Sequence, residues 1–322
     1  MKGFDAEFIN LDHYIRVITD RIWEGRRIED IARYYSTDCA VETPSHVSIG
    51  IEPVISGTKA TLVAFPDRRL LAEDVIISGD ENLGFLSSHR IFSPMTHAGD
   101  GSFGPPSNKP VFARTIADCV CINNKIVHEW LVRDQAAIAR QIGLSEQIIA
   151  QRWLAQRGDL KKAAMPPAPG AYVSLVDTHP LAQRYGQYYQ SLWSQAQTKS
   201  SVTGLLTDTL HHDVIVATPG GETCVGIDAL AQFWMSIRQA LPNANCTIEH
   251  LVVNERAERG ASAAVRWRVQ ATHDGLGRYG EPTGKHIEIM GICHADFVGD
   301  QIIREWVLFD DVAVWMQLLD PA

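Results

Sequence analysis

The sequence predicts an α+β protein built from two tandem domains on one plan, each a cone-shaped, curved and mostly antiparallel sheet wrapped over helices. Three observations support this fold class. The pattern T-H-x-G-x-G-x-x-G-x-P-x-x-K occurs at residues 96–109 and again at 272–285, at a constant offset of 176 positions. In both copies, helical patterns precede a run of strand patterns. A segment rich in proline, alanine and glycine separates the copies.

The repeat sets the domain boundaries. The offset of 176 also relates Glu129-Trp130 to Glu305-Trp306 and Asp134 to Asp310, which indicates duplication of a whole supersecondary unit. Residues 158–174 contain few large apolar side chains, as expected of a linker. We therefore expect a first domain at 1–157, a linker at 158–174 and a second domain at 175–322.

Each copy opens with helical segments and closes with four strands. In the first copy, apolar spacing predicts an amphipathic helix at 11–35, a strand at 39–43, a helix ending at Phe65-Pro66, and strands near 72–78, 84–95, 111–122 and 126–133. In the second copy, the corresponding segments are a helix at 179–195, a strand at 213–218, a helix ending at Leu241-Pro242, and strands near 247–253, 261–272, 286–298 and 302–309.

Composition excludes several classes of function. The formal net charge of −9 and the pI near 5.7 argue against a nucleic-acid partner, because phosphate binding depends on clustered Lys and Arg. No apolar stretch approaches the roughly 18 residues of a membrane span, and no signal-peptide pattern opens the chain, so a cytoplasmic location is predicted. The six cysteines form no C-x-x-C pair, so no metal site is predicted.

The glycine pattern G-x-G-x-x-G does not predict a cofactor. A dinucleotide-binding loop follows a strand and opens a helix. Here Gly99, Gly101 and Gly104 are followed by proline and then by another strand pattern. A glycine-rich hairpin loop is the prediction, and no cofactor is expected.

Strand periodicity selects the candidate site residues. Counting by two aligns His273 with Trp267, and His97 with Met95, along one strand face of each copy. On the last strand, the same counting aligns Trp130 with Asp134 and Trp306 with Asp310, and places Glu129 and Glu305 on the opposite face, where ion pairs are expected. The predicted catalytic residues are Asp134, Asp310, His97 and His273, and the predicted substrate-binding residues are Trp130, Trp306, Trp267 and Met95.

Two interpretations of these polar residues stay open from the sequence. A carboxylate at the mouth of an apolar cavity has a raised pKa and becomes a stronger base, and a histidine completes an acid/base pair. An aspartate between a strand and a helix is also a preferred N-cap, and a turn histidine often binds local backbone. From spacing alone, capping is favoured over catalysis for Asp134 and Asp310.

Three motifs resemble those of SnoaL-like polyketide cyclases, which belong to the nuclear transport factor 2-like superfamily. These are Phe65-Pro66-Asp67, the T-H-x-G-x-x-x-x-G-x-P-T-G-K pattern at 272–285, and I-x-x-E-W-x-x-x-D at 126–134 and 302–310. The copies depart from the motifs at Leu241-Pro242-Asn243 and at residues 106–109, where the sequence is P-S-N-K. The resemblance covers both halves and implies the cone-shaped fold.

The resemblance also implies a chemistry. In the family, a pocket aspartate acts as acid and base in an intramolecular aldol closure, without metal or cofactor. That role would belong to Asp134 and Asp310, with His97 and His273 as partners, and the ligand would be an apolar, carbonyl-bearing small molecule. The resemblance further implies an internal pseudo-dimer of the two domains, and a homodimer of the chain is possible.

Two alternatives to a cyclase or isomerase remain. A ligand-binding or accessory protein would use the same pockets without turnover. An epoxide hydrolase of the limonene type would need an Asp-Arg-Asp set, and the strand parity of Arg90 and Arg266 turns them away from the histidine face.

Overall fold

The computed structural model describes residues 1–158, 160–168, 175–195 and 197–321. The chain folds into two compact units, Met1–Val173 and Ser174–Ala322. Each unit combines helices with one mixed, mostly antiparallel sheet, which confirms the predicted fold class. Of the predicted linker 158–174, residues 160–168 form neither helix nor strand, and residues 159 and 169–174 lie outside the described residues.

The N-terminal unit places its helices before and after its strands. A π-helical turn at Asp20–Glu24 and a 3-10 turn at Ile28–Asp30 follow its first helix. Its elements are α1 (Leu11–Thr19), α2 (Ile31–Tyr34), β1 (Tyr35–Glu42), β2 (Val47–Ile49), α3 (Ile51–Ala64), β3 (Leu71–Asp80), β4 (Gly84–Thr96), β5 (Pro110–Ile122), β6 (Lys125–Arg133), α4 (Gln135–Ile142) and α5 (Glu146–Arg157).

The C-terminal unit repeats this order with an extra short strand at its start, a longer second helix and one final helix where the N-terminal unit has two. Its elements are β7 (Leu175–Val176), α6 (Pro180–Ser194), α7 (Lys199–Thr209), β8 (Leu210–Thr218), β9 (Glu222–Val225), α8 (Gly226–Ala240), β10 (Asn245–Arg256), β11 (Gly260–Thr272), β12 (His286–Val298), β13 (Gln301–Phe309) and α9 (Asp311–Leu319).

The two sheets share one topology. The strand order is β2-β1-β6-β5-β4-β3 in the N-terminal unit and β7-β10-β11-β12-β13-β8-β9 in the C-terminal unit. β1 pairs with β6, and β8 with β13, in parallel, whereas the four long strands of each sheet pair antiparallel. The helices of each unit share a hydrophobic core with one sheet face, which we call the inner face.

The predicted helix at 11–35 is wrong as one continuous element. Gly25 accommodates the turn that follows the π-helical segment, and Arg26 adopts a left-handed backbone with φ +56. The helix resumes only at Ile31. The short strands β2 and β9 and the helix α7 were not predicted, because their exposed and polar residues carry little hydrophobic periodicity.

A β-bulge in the last strand of each unit changes which residues face inward. In β13, Ile302 pairs with Phe297 and Arg304 with Asp296, which leaves Ile303 as an extra residue. In β6, Ile126 pairs with Cys121 and His128 with Val120 in the same way. Because one extra residue shifts every later side chain to the other face, counting straight through this strand gives the wrong face.

The motif glycines permit close contact between the loop after β4 or β11 and the preceding helix. A Cβ atom at Gly99 would lie 2.0 Å from the Val63 carbonyl oxygen, and one at Gly275 would lie 1.8 Å from the Gln239 carbonyl oxygen. The backbone N–H of Gly99 instead donates to the Ala64 carbonyl, at 3.1 Å. The glycines are therefore required by loop packing.

Aromatic rings pack against the inner face of the C-terminal sheet. Trp267 on β11 lies opposite Gly291 on β12, which lies opposite Phe309 on β13. A Cβ atom at Gly291 would lie 2.1 Å from the Trp267 ring. Tyr189 and Trp193 of α6 pack on the same indole, with ring centroids at 5.8 and 5.3 Å. The interior of this unit is thus closely packed.

This packing predicts the effect of a single methyl group. Gly291→Ala is expected to lower the free energy of unfolding of the C-terminal unit by about 1–3 kcal/mol, because the Trp267 ring has to move. Urea denaturation followed by tryptophan fluorescence measures the change. Gly204→Ala in α7 is the control, since a Cβ there has no neighbour within 4 Å, and it should stabilise or leave stability unchanged. Equal effects of the two substitutions would contradict the packing.

Candidate functional site

The inner face of the N-terminal sheet differs from its C-terminal counterpart at the centre of the sheet. Ile91 on β4 lies opposite Thr115 on β5, which lies opposite Arg133 on β6. At the offset of 176, this row corresponds to Trp267, Gly291 and Phe309. An aromatic row in one unit is therefore replaced by a smaller aliphatic residue, a hydroxyl and a cation in the other.

Neighbouring positions on the inner face follow the same trend. Ser87, His89 and Ser93 of β4 stand where β11 has Ala263, Val265 and Val269. The His89 ring lies near the Ser87 hydroxyl, with Nδ1 and Oγ 3.3 Å apart, and burial lowers the pKa of His89 to about 4. The N-terminal interior is thus lined by polar groups that the fold does not require.

Two of these groups are buried without a partner. The hydroxyl oxygens of Ser93 and Thr115 are inaccessible to solvent, and neither forms a hydrogen bond with any described residue. Ser93 is 1% and Thr115 3% exposed. A buried hydroxyl without a partner costs about 1–3 kcal/mol, so these positions suit a ligand or ordered water.

His97 is a buried histidine that follows β4. Its Nδ1 accepts from the backbone N–H of Ser107 at 3.3 Å, which places the proton on Nε2. Nε2 is buried and forms no well-aligned hydrogen bond with any described residue, although the Gly104 backbone lies near the ring. Burial lowers the pKa of His97, partly offset by the Gly104 backbone, so the ring is neutral near pH 7. The Phe65 ring lies beside it, at 5.4 Å between centroids.

His273 occupies the matching position in the C-terminal unit. Its Nδ1 lies 3.2 Å from the Thr283 hydroxyl, and its ring meets Tyr279 edge-on at 6.2 Å. Burial also lowers the pKa of His273, and its Nε2 likewise lacks a partner among the residues described. Both histidines are therefore buried and neutral near pH 7.

Asp134 and Asp310 are buried and cap helices. Each is 4% exposed. The Asp134 carboxylate accepts from the backbone N–H of Ala137 at 2.9 Å, and that of Asp310 from Val312 at 3.0 Å. The capping interpretation is therefore correct for one oxygen of each group. By strand parity both aspartates follow Trp130 and Trp306, which the bulge turns to the face opposite the core, and the acid/base role stays a prediction.

The two predicted tryptophans on the last strand lie on the face opposite the core. Trp130 pairs with Asp118 and Trp306 with His294, and none of these residues belongs to a core cluster. The expectation that they share a face with the interior is wrong, because of the bulge at Val127 and Ile303. Trp267 and Met95 do lie inside, but the Trp267 indole packs in the core and donates to the Cys293 sulfur at 3.3 Å.

Glu129 and Glu305 were expected on the outer face and instead lie inside. Glu305 accepts from the hydroxyls of Tyr185 and Tyr189, at 3.0 and 2.8 Å. Glu129 accepts from the Tyr35 hydroxyl at 3.0 Å. Burial raises the pKa of both carboxyl groups to about 7. The predicted ion pairs are therefore wrong. The inward position of these glutamates results from the bulge, which leaves no clear pattern in the sequence.

Arg68 is a second interior residue that sequence reasoning missed. It is only 6% exposed, and its guanidinium forms no ion pair or side-chain hydrogen bond with any described residue. Burial, together with repulsion from Arg133 and Arg26, lowers the pKa of Arg68 well below its usual range. The matching residue of the C-terminal unit is Ala244, which belongs to the hydrophobic core.

Arg90 and Arg266 bind acidic residues on the outer face, in keeping with their parity. Arg90 donates to Glu73 at 3.0 Å and Arg266 to Glu249 at 3.1 Å. These contacts occupy the arginines that an epoxide hydrolase would need beside two aspartates. They give that alternative no support.

Comparison with known proteins identifies the family. The SnoaL-like polyketide cyclase family matches residues 14–142 and 184–318. Similar solved structures include a SnoaL-like polyketide cyclase of Jannaschia sp. CCS1 (16% identity, TM-score 0.38, 45% of this chain and 99% of that chain). They also include IdmH of Streptomyces antibioticus (17% identity, TM-score 0.36, 44% of this chain and 99% of that chain). A third is a polyketide cyclase of Acidithiobacillus ferrooxidans (17% identity, TM-score 0.36, 45% of this chain and 99% of that chain).

Other comparisons add two facts. No curated protein sequence matches this chain. Within the described part of the chain, no helix combines the length and apolar character that crossing a membrane requires.

The raised pKa of Glu305 predicts a pH-dependent stability. The pKa of Glu305 is about 7 in the folded state and 4.5 ordinarily. Protonated Glu305 therefore contributes fully to the free energy of unfolding below pH 4.5, and this contribution is lost as the pH rises through 7. The loss is about 3 kcal/mol. Glu305→Gln should abolish this dependence while keeping an acceptor for Tyr185 and Tyr189.

Thermal unfolding at pH 5 and pH 8 measures the effect. The wild type should lose more stability between these values than Glu305→Gln does. Glu258→Gln, an exposed change in the same unit, should behave like the wild type. Parallel pH dependence in all three proteins would show that Glu305 ionises as freely in the folded state as in the unfolded chain.

Proposed function

The chain belongs to the SnoaL-like polyketide cyclase family, and from this premise we propose that its N-terminal unit is a cofactor-free acid/base enzyme. Its substrate is a small, largely apolar carbonyl compound. The reaction begins with removal of a proton from the carbon beside the carbonyl. The resulting enolate then closes a ring by an aldol-type attack or is reprotonated at a new position, which is an isomerisation.

One observation carries this proposal. The central inner row of the N-terminal sheet is Ile91, Thr115 and Arg133, and two hydroxyls on this face are buried without partners. Such polar positions stabilise a fold only when a ligand or water satisfies them. They therefore support an interior that binds a small molecule with a few polar groups.

The proposed roles follow from the chemistry of each group. Asp134, buried at the end of β6, takes the proton from carbon. The Nε2–H of His97 donates to the carbonyl oxygen as negative charge develops there, and a neutral imidazole suits this task. Glu129, with a pKa of about 7, carries a proton that can be returned to the enolate.

The C-terminal unit has the same motif without the same interior. Asp310 and His273 match Asp134 and His97, but Trp267 and Phe309 occupy the space above Gly291. We therefore assign turnover to the N-terminal unit. The catalytic roles predicted for Asp310 and His273 stay predictions, and the two aspartates form a matched pair for testing.

A ligand-binding protein without turnover is the second candidate. The capping bond from Ala137 to Asp134 favours it, because an oxygen used for capping is a weaker base. A pH–rate profile separates the two functions, since catalysis by a carboxylate requires an ionisation in the rate. A binding protein shows no rate above that of buffer.

The proposal predicts unequal effects of two equivalent substitutions. Asp134→Asn should slow solvent deuterium exchange at the α-carbon of bicyclic aromatic ketones, such as 2-tetralone and its carboxylated analogues, by about 100-fold or more. Asp310→Asn should leave the rate within about twofold. Asparagine is as good an N-cap as aspartate, so neither change should unfold its helix. Proton NMR in deuterated buffer gives the rates.

The controls make the result decisive. Circular dichroism should show equal folding of both variants and the wild type. Equal rates for Asp134→Asn and the wild type would refute the role of Asp134. Loss of activity in Asp310→Asn alone would move the reaction to the C-terminal unit. Wild-type exchange no faster than buffer for every ketone would favour the binding protein.

A further inference from the structure

Arg68 is a buried cation whose guanidinium forms no ion pair or side-chain hydrogen bond with any described residue. It follows the C-terminus of α3, and its backbone is held on both sides. Its N–H donates to the Phe65 carbonyl at 3.1 Å, and its own carbonyl accepts from Arg26 at 3.0 Å. With only 6% of the residue exposed, the guanidinium is held in the protein rather than in water.

The nearby carboxylates are already engaged. Asp67 accepts from both the backbone N–H and the hydroxyl of Thr96, each at 2.7 Å. Glu24 accepts from Arg69 at 3.1 Å and from the backbone N–H of Leu70 at 2.5 Å. Neither carboxylate forms an ion pair with Arg68, and the Glu24 charge, which attracts the Arg68 guanidinium from a greater distance, is paired with Arg69.

The other charged groups nearby add to the positive charge. Arg133, on the inner face opposite Thr115, and Arg26 both repel the Arg68 guanidinium. Glu129 is an acidic residue on the same strand face as Arg133, and burial raises its pKa to about 7, so that it is partly protonated near pH 7. The positive charge of Arg68 is therefore not balanced by an ion pair with any described carboxylate.

The fold does not need these cations. In the C-terminal unit the same positions are Ala244 and Phe309, both in the hydrophobic core. Burying an unpaired cation is strongly unfavourable. A residue that costs stability without serving the packing indicates a binding function.

Building on the function proposed above, we propose that the N-terminal interior binds a substrate that carries a carboxylate, and that Arg68 binds this carboxylate. A planar guanidinium matches a carboxylate with two parallel hydrogen bonds. One uncompensated charge fits a monoanion. Ile91, Met95 and Phe65 supply apolar contacts for the body of the substrate, and the hydroxyls of Ser93 and Thr115 supply hydrogen bonds. The substrate class is thus an apolar keto acid.

Isothermal titration calorimetry with 2-naphthoate and its methyl ester tests the proposal. The wild type should bind the acid at least tenfold more tightly than the ester. Arg68→Met should lose at least tenfold in affinity for the acid and keep its affinity for the ester. Arg27→Met is the control, because Arg27 is 57% exposed and already paired with Asp30. It should match the wild type.

Thermal unfolding supplies an independent readout. Arg68→Met should unfold at a higher temperature than the ligand-free wild type, because it removes an unpaired buried cation. Saturating 2-naphthoate should raise the unfolding temperature of the wild type but not of Arg68→Met. If Arg68→Met fails to fold, Arg68→Lys replaces it, since lysine keeps the charge and loses the two parallel hydrogen bonds, and its affinity for the acid should fall.

Three results would overturn the proposal. The first is equal affinity of the wild type for acid and ester. The second is undiminished binding of the acid by Arg68→Met, or by Arg68→Lys if only that variant folds. The third is binding of 2-naphthyl phosphate at least tenfold tighter than binding of 2-naphthoate, which would identify a phosphate site. These binding measurements involve no turnover. Failure of the carboxylate proposal is therefore separable from failure of the proposed reaction, which the exchange rates of Asp134→Asn decide.

Discussion

The space between a curved sheet and its helices has to be filled, and the two units fill it differently. In the C-terminal unit, Gly291 lacks a side chain so that the Trp267 ring can lie across it, and Phe309 completes the row. In the N-terminal unit, the same row ends in Thr115 and Arg133. A packed aromatic interior stabilises a fold. An interior with unsatisfied buried hydroxyls, such as those of Ser93 and Thr115, requires a ligand or water.

Duplication explains how both solutions occur in one chain. The second copy keeps the motif residues Asp310 and His273, whose capping and turn contacts serve the fold. It has aromatic residues where an open interior would need small or polar ones. The shared motif therefore indicates common ancestry. The central row of the inner face, which is Ile91, Thr115 and Arg133 in the N-terminal unit, distinguishes the unit suited to a ligand.

The sequence predicted the fold more completely than the site. The repeat and its order of elements gave the α+β class, and the eight long strands lie close to their expected positions because their alternation is strong. The inner faces of the last strands were not predictable, since a bulge at Ile303 moves Glu305 inward and Trp306 outward without altering the hydrophobic pattern. Arg68 follows the end of a helix, where no periodicity indicates burial.

An experimental electron-density map of the two interiors tests the central claim most directly. The account predicts ordered water or ligand density within hydrogen-bonding distance of Ser93, Thr115 and Arg68, and no such density around Trp267 and Phe309. A crystal of the ligand-free protein, measured at a resolution that shows water, is sufficient. Side chains that close completely around Thr115, with Arg68 paired to a protein carboxylate, would contradict the account.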